Sequence, residues 1–111
     1  MKVVIANAFS LNMLALDDGP ESLTITSTTL DLVKEEIEEA GGFTSIVGHA
    51  DTAAILGQQL GMDVPCNRAT FTLEPGTILV VGQYKGPRLA EGTKTLPEGA
   101  KIEWVLCWLE N

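Results

Sequence analysis

Short apolar runs near both ends of the chain constrain its fold more than any other feature. KVVIA, residues 2–6, is apolar and β-branched, and KIEWVLCWLE, residues 101–110, is apolar on both of its alternating faces. Strands of this composition are typically buried on both sides. A chain of 111 residues has room for one core. We therefore predict a single domain, residues 1–111, built around a sheet that contains these two strands.

Two stretches between these strands have apolar residues at helical spacing. The first begins at Thr28, with Asp31 three residues later as in a capping box, and it ends at Gly41-Gly42. The second begins near Asp51 and ends at Gly61. The positions expected to face the core are Leu30, Val33, Ile37 and Ala40 in the first helix and Ala53, Leu56 and Leu60 in the second.

Two further strands are predicted around the first helix. ESLTITS, residues 21–27, alternates the apolar Leu23 and Ile25 with polar residues after the turn DDGP, residues 17–20, which is typical of a half-buried strand with these two residues on its buried face. FTSIV, residues 43–47, follows the double glycine and precedes the second helix. The strand–helix order is that of an α/β protein.

The second half of the chain predicts a hairpin and a long loop. RATFTL, residues 68–73, and TILVVGQY, residues 77–84, are predicted to pair around a bend at Pro75-Gly76. KGPRLAEGTKTLPEGA, residues 85–100, is rich in Gly and Pro, and long loops in small domains are often functional. The predicted fold is thus α/β, a single-domain mixed sheet of about five strands covered by two helices.

Composition argues against several classes of protein. The net charge of −8 and only seven Lys and Arg residues disfavour general binding to DNA, RNA or anionic membrane. No apolar run approaches the roughly 18 residues of a membrane span, and the N-terminus has the pattern of a strand rather than a secretory signal. We therefore expect a cytoplasmic protein without a membrane contact. Cys66 and Cys107, far apart in sequence, are expected to be free thiols.

His49 is the only histidine and lies in SIVGHADTA, residues 45–53, about one turn from a predicted helix start. Unpaired N–H groups and the helix dipole make such a position an anion site, where a phosphate can lie beside the imidazole. On that interpretation His49 is a proton donor. The alternative is a histidine that fills a bend and bonds to the backbone, and this stretch alone favours neither.

Other polar residues also have both structural and functional interpretations. NAFSLNML, residues 7–14, suits a turn or a ligand-facing loop, and Arg88 and Glu91 can form an exposed pair. The chain lacks GxGxxG, Walker and HExxH motifs, which excludes the sites that those motifs form, and the absence of an acid cluster with magnesium-binding spacing disfavours a two-metal nuclease. The candidate residues besides His49 are Asn7, Ser10, Asn12, Arg68, Gln83, Arg88 and Glu91.

Four sequence blocks in this order, NAFSLNML, VGHADT, CNR and RLAEG, resemble a known family. It comprises the ring nucleases of viral anti-CRISPR origin and their cellular relatives, which degrade cyclic tetra-adenylate, the second messenger of type III CRISPR defence. The resemblance spans almost the whole chain, and its specific part is these blocks. It implies a homodimer that binds one cyclic tetra-adenylate across its twofold axis and cleaves it without metal or cofactor.

The resemblance also implies a role for each candidate residue. His49 would be the general acid that protonates the 5′-oxygen leaving group while the substrate's own 2′-hydroxyl attacks the phosphorus. Glu91 would help to activate that attack or orient the ribose. Phosphates would be held by Arg68 and Arg88, and ribose, phosphate or adenine by Asn7, Ser10, Asn12 and Gln83.

Two other functions stay open beside the ring nuclease. A module that sequesters a cyclic nucleotide would use the same pocket but release no product. A structural or interaction protein would use the polar loops only as turns and bind no nucleotide. The ordered set of four blocks favours the ring nuclease, and turnover separates it from the other two.

Overall fold

A computed structural model describes residues 1–19 and 21–110. The main elements in chain order are β1 (Lys2–Ala6), β2 (Leu23–Thr28), α1 (Leu30–Ala40), β3 (Thr44–Ser45), α2 (Ala50–Leu60), β4 (Thr77–Lys85) and β5 (Lys101–Leu109). Two short 3₁₀ helices, Leu11–Met13 and Leu16–Asp18, lie between β1 and β2. The predicted α/β fold, a mixed sheet of five strands with two helices, is confirmed.

The strands form one sheet in the order β2-β5-β4-β1-β3. β1 runs parallel to both of its neighbours, β3 and β4, whereas β5 runs antiparallel to β2 and β4. Val3 to Ala6 are buried, as expected for a strand inside the sheet. Because β1, β3 and β4 point the same way, the segments that follow these three strands leave the sheet at one edge.

Both helices pack on the same face of the sheet. Their buried residues contact one set of alternating strand positions in a core of Val3, Ile5, Val33, Ile37, Val47, Ala53, Leu56, Leu60, Val64, Ile78, Val80 and Trp104. The opposite face has its own core, around Val4, Leu79 and Cys107, and is covered by loop residues. The covering loop side chains include Phe9, Met13, Leu14, Phe71 and Leu73. The two helices therefore cover one face only.

The ends of both helices have clear local causes. Thr29, one residue later than predicted, caps α1, because its side-chain oxygen accepts a hydrogen bond from the Leu32 amide. His49 caps α2, and the predicted stops at Gly41 and Gly61 are confirmed, each with φ in the left-handed region that favours glycine.

The predicted hairpin of residues 68–73 and 77–84 is wrong. Residues 68–73 form no strand, since both edges of β4 are occupied by β1 and β5. The segment instead crosses the sheet, where Leu73 is buried and its amide bonds to the Met13 carbonyl. The predicted bend at Pro75-Gly76 is present, but it leads directly into β4.

Two smaller differences concern the edge strands, and one predicted turn is only partly described. FTSIV forms only the two-residue strand Thr44–Ser45. Ile25, expected on the buried face of β2, is 58% exposed because the loops that cover this face of the sheet do not extend to it. The predicted turn DDGP includes Pro20, which lies outside the described residues.

Candidate functional site

Three chain segments meet at the edge of the sheet where β1, β3 and β4 end. Residues 7–12 follow β1, His49 follows β3, and the long loop of residues 86–100 follows β4. In open α/β sheets ligands commonly bind at the carboxyl ends of parallel strands. The topology thus brings the sequence blocks NAFSLNML, VGHADT and RLAEG together, although they are far apart in sequence.

His49 is the N-cap residue of α2 and is exposed to solvent. Its Nδ1 atom accepts a hydrogen bond from the Thr52 amide at 3.4 Å, and the Thr52 hydroxyl lies at the same distance. A ring nitrogen that accepts a hydrogen bond carries no proton, so the proton of the neutral ring lies on Nε2. The imidazole is thereby oriented with its protonated nitrogen away from the helix.

A first cavity, which we call the N-terminal cavity, is lined by Asn7, Ser10, Asn12, His49 and Arg68 and has a volume of ≈ 650 Å³. Asn7 accepts a hydrogen bond from the Gly48 amide at 3.3 Å, which joins the end of β1 to the residue before His49. Ser10 caps the following 3₁₀ helix by accepting from the Asn12 amide. Asn7 and Ser10 therefore have structural roles beside any role in binding.

Arg68 lies over Gly48. A Cβ atom added to Gly48 would be 3.5 Å from the Arg68 Nε. The preceding residue, Asn67, holds this segment beside β3 with two hydrogen bonds, from its amide to the Val47 carbonyl and from its side chain to the Ser45 carbonyl. The guanidinium is exposed and forms no ion pair with the described residues.

A second cavity, which we call the loop cavity, is lined by His49, Asp51, Thr52, Tyr84, Arg88 and Glu91 and has a volume of ≈ 620 Å³. Arg88 and Glu91 are exposed and, contrary to the structural alternative, do not pair with each other. Both side chains come from the long loop, whose Gly92 amide donates a hydrogen bond to Asp51 of α2. The loop is therefore attached to the helix that His49 caps.

His49 is common to both cavities. Each cavity contains one arginine, Arg68 in the N-terminal cavity and Arg88 in the loop cavity. Volumes of this size are within the range of about 300–1,000 Å³ for small-molecule sites. The arrangement can hold an anion on either side of a single imidazole.

Gln83 does not join these residues within one chain. It lines a third cavity of ≈ 360 Å³, here called the sheet-face cavity, together with Phe9, Ile25, Val81, Lys85, Glu103, Val105 and Cys107. Lys85 bonds to Glu103 at 2.6 Å and so lowers the pKa of that carboxyl group. The part of this sheet face that the loops leave open thus holds Gln83, the one predicted site residue that shares no cavity with His49.

Sequence reasoning did not identify three polar residues of the loop cavity as part of the site. Thr52 and Asp51 lie within one turn after His49, and Tyr84 ends the apolar run of β4. An N-cap side chain commonly bonds to the amide three residues later, so a cap at His49 could have identified Thr52 from the sequence.

Residues 1–19 and 21–110 contain no group of three or more His, Cys, Asp or Glu side chains placed to hold a metal ion. No helix described here is long and apolar enough to cross a bilayer.

Comparison with known proteins identifies the family. A sequence model of the STIV B116-like family matches residues 3–103. Among solved structures the chain is similar to B116 of Sulfolobus turreted icosahedral virus (STIV), with a TM-score of 0.78 and 26% sequence identity over 97% of this chain and 99% of that protein. No curated protein matches. Because the family match covers most of the sequence, this chain belongs to the STIV B116-like family.

Proposed function

We propose that this protein is a metal-independent ring nuclease that cleaves cyclic tetra-adenylate and so switches off or evades type III CRISPR signalling. The observation that carries the proposal is the position of His49 between two cavities, each with one arginine. A phosphodiester that spans the cavities has its bridging phosphate beside the imidazole. The relation to a viral protein supports an anti-CRISPR role.

The substrate is proposed to lie across a homodimer. A ring of four nucleotides has a twofold axis, which an isologous dimer matches. Two copies each of Arg68 and Arg88 then provide four guanidinium groups for four phosphates, which supplies local positive charge in a protein of net charge −8. The proposal gives Gln83 a role only in the dimer, since in one chain it lines a different cavity from His49.

The proposed reaction is an in-line transesterification. The 2′-oxygen of the ribose attacks the phosphorus and loses its proton toward the Glu91 carboxylate, which forms the 2′,3′-cyclic phosphate. The bond from phosphorus to the 5′-oxygen breaks, and His49, which enters the step as the imidazolium, gives the departing oxygen its proton from Nε2 and becomes the neutral ring. Two symmetric cuts yield two linear di-adenylates. General acid–base catalysis of this kind contributes roughly 10²- to 10⁴-fold to a rate.

The test is to incubate the purified protein with cyclic tetra-adenylate and EDTA and to identify the products by chromatography and mass. His49→Ala and His49→Asn are the matched variants. Alanine removes both the proton donor and the cap of α2, whereas asparagine is a strong N-cap that cannot act as the acid. We expect di-adenylate with a cyclic phosphate from the wild type and a loss of at least 100-fold in both variants.

Other outcomes separate the competing functions. Turnover retained in His49→Asn contradicts the role of His49, and turnover abolished by EDTA contradicts the metal-free reaction. An intact ring that stays bound to wild type and variants alike identifies a sequestering module. A ring that neither binds nor breaks leaves only a structural or interaction role.

A further inference from the structure

We propose that Asp51 anchors the loop of residues 86–100 to the N-terminus of α2 and thereby fixes Arg88 and Glu91 relative to His49. The inference deepens the proposed function and rests on it, because it assigns a positioning residue to the same site. Asp51 itself is not placed at the reacting atoms. It acts through the loop that carries two of the candidate residues.

The anchor is a hydrogen bond across 41 residues of sequence. The Gly92 amide donates to the Asp51 Oδ1 atom at 3.2 Å. Gly92 has a φ of 83°, a conformation that favours glycine, and it lies in a turn closed by the Thr93 amide and hydroxyl, which both donate to the Ala90 carbonyl. Glu91 belongs to this turn, so the anchor fixes its backbone directly.

The base of the same loop is held separately. The Tyr84 hydroxyl donates to the Pro87 carbonyl at 2.6 Å, next to Arg88. A Cβ atom added to Gly86 would lie 2.5 Å from the Ala100 Cβ, so the two ends of the loop are in close contact. Arg88 and Glu91 therefore lie between a closed base and the Asp51 anchor. Without the anchor, the base alone fixes only the Arg88 end.

The first turn of α1 provides a matched control for Asp51. Asp31 and Asp51 are each the second residue of their helix and the acidic residue of its first turn. Both interact favourably with the helix dipole. Asp31 lines neither the N-terminal cavity nor the loop cavity and has no loop bonded to it among the described residues. Removing either carboxylate removes the same kind of dipole interaction, while only Asp51 holds the loop.

The experiment compares Asp51→Ala, Asp51→Asn and Asp31→Ala with the wild type. Amide hydrogen exchange at Gly92, followed by NMR, reports the anchor without requiring activity. Cleavage of cyclic tetra-adenylate in EDTA reports its effect on the site. We expect Asp51→Ala to speed exchange at Gly92 and to lower kcat/KM, each about tenfold, which is the effect of losing one hydrogen bond to a charged group. Asp51→Asn keeps an oxygen acceptor and should retain most of the exchange protection at Gly92 and most of kcat/KM.

The outcomes distinguish the inference from the proposed function. Unchanged exchange at Gly92 in Asp51→Ala overturns the anchor. Faster exchange with unaltered kcat/KM overturns the positioning role, and an equal loss in Asp31→Ala assigns the effect to helix stability instead. If the wild type does not cleave the ring, the proposed function fails, while exchange at Gly92 still decides whether Asp51 holds the loop.

Discussion

The imidazole Nδ1 of His49 lies 3.4 Å from both the amide nitrogen and the hydroxyl oxygen of Thr52. The two atoms serve different protonation states of the ring. The amide donates to an unprotonated Nδ1, and the hydroxyl oxygen can accept from a protonated one. Thr52 can thus hold the ring in one orientation both as imidazole and as imidazolium, which the general acid role proposed for His49 requires.

Replacing Thr52 by valine tests this relationship. The side chain is buried, so valine fits an apolar site but cannot accept from protonated Nδ1. We expect Thr52→Val to lower kcat about tenfold with little change in KM, since one hydrogen bond to a charged group is lost. Thr52→Ser retains the hydroxyl and should restore kcat. If valine and serine behave alike, the hydroxyl has no part in catalysis.

Arg88 is predicted to bind a phosphate. Arg88→Ala removes the guanidinium from the loop cavity and should raise the Kd for cyclic tetra-adenylate by roughly 10- to 100-fold. Lys94→Ala is the control, because Lys94 is an exposed cation of the same loop that does not line this cavity. Titration with fluorescently labelled cyclic tetra-adenylate measures the Kd of both variants. An equal weakening in the two variants would indicate that only the net charge matters.

Glu91 is predicted to act on the attacking hydroxyl rather than on binding. Glu91→Gln preserves size and hydrogen-bonding ability but cannot take up a proton. We expect kcat to fall by about 100-fold while the Kd stays within about twofold. Single-turnover experiments measure the rate of cleavage, and direct binding measures the Kd. A large change in Kd with an unaltered rate would limit Glu91 to orienting the ribose.

Gly82 is predicted to be essential for packing between β4 and α2. A Cβ atom there would lie 2.7 Å from Leu56 Cδ2 and 3.0 Å from Trp104 Cζ3, and Leu56 is fully buried. Gly82→Ala should lower the free energy of unfolding by about 1–3 kcal/mol in urea denaturation. Gly48→Ala, where the nearest atom is 3.5 Å away, serves as the comparison. Equal stability of the two variants would contradict the close contact.

The two cysteines are predicted to differ in reactivity. Cys66 is exposed, whereas Cys107 is buried, and burial raises the pKa of its thiol. Since only the thiolate reacts, a folded chain at pH 8 should react rapidly with one equivalent of Ellman's reagent and with two after denaturation. Cys66→Ser should leave the folded protein unreactive. Rapid labelling of two thiols in the native protein argues against a buried Cys107.

Local sequence determined the secondary-structure elements whose signals are short-range. Both helices follow from apolar residues at helical spacing and from Gly41 and Gly61, which end them in a left-handed conformation. β1 follows from its continuous apolar composition. These features depend on a residue and its near neighbours, so they need no knowledge of the rest of the chain.

Pairing partners were decided only by the tertiary structure. RATFTL has the composition of a strand, but both edges of β4 are taken by β1 and β5, so the segment became a connection across the sheet. Which segments pair depends on contacts between distant parts of the chain, and local propensity does not contain that information.

The same division holds for the candidate site. The sequence by itself determined the residue types, a histidine at a helix start and arginines in polar loops. Only the fold decided that His49 borders two cavities, that Asp51 holds the loop of Arg88 and Glu91, and that Gln83 lies on another face. The physical reason is that three parallel strands end at one edge of the sheet, and this shared edge, rather than any local pattern, brings the segments together.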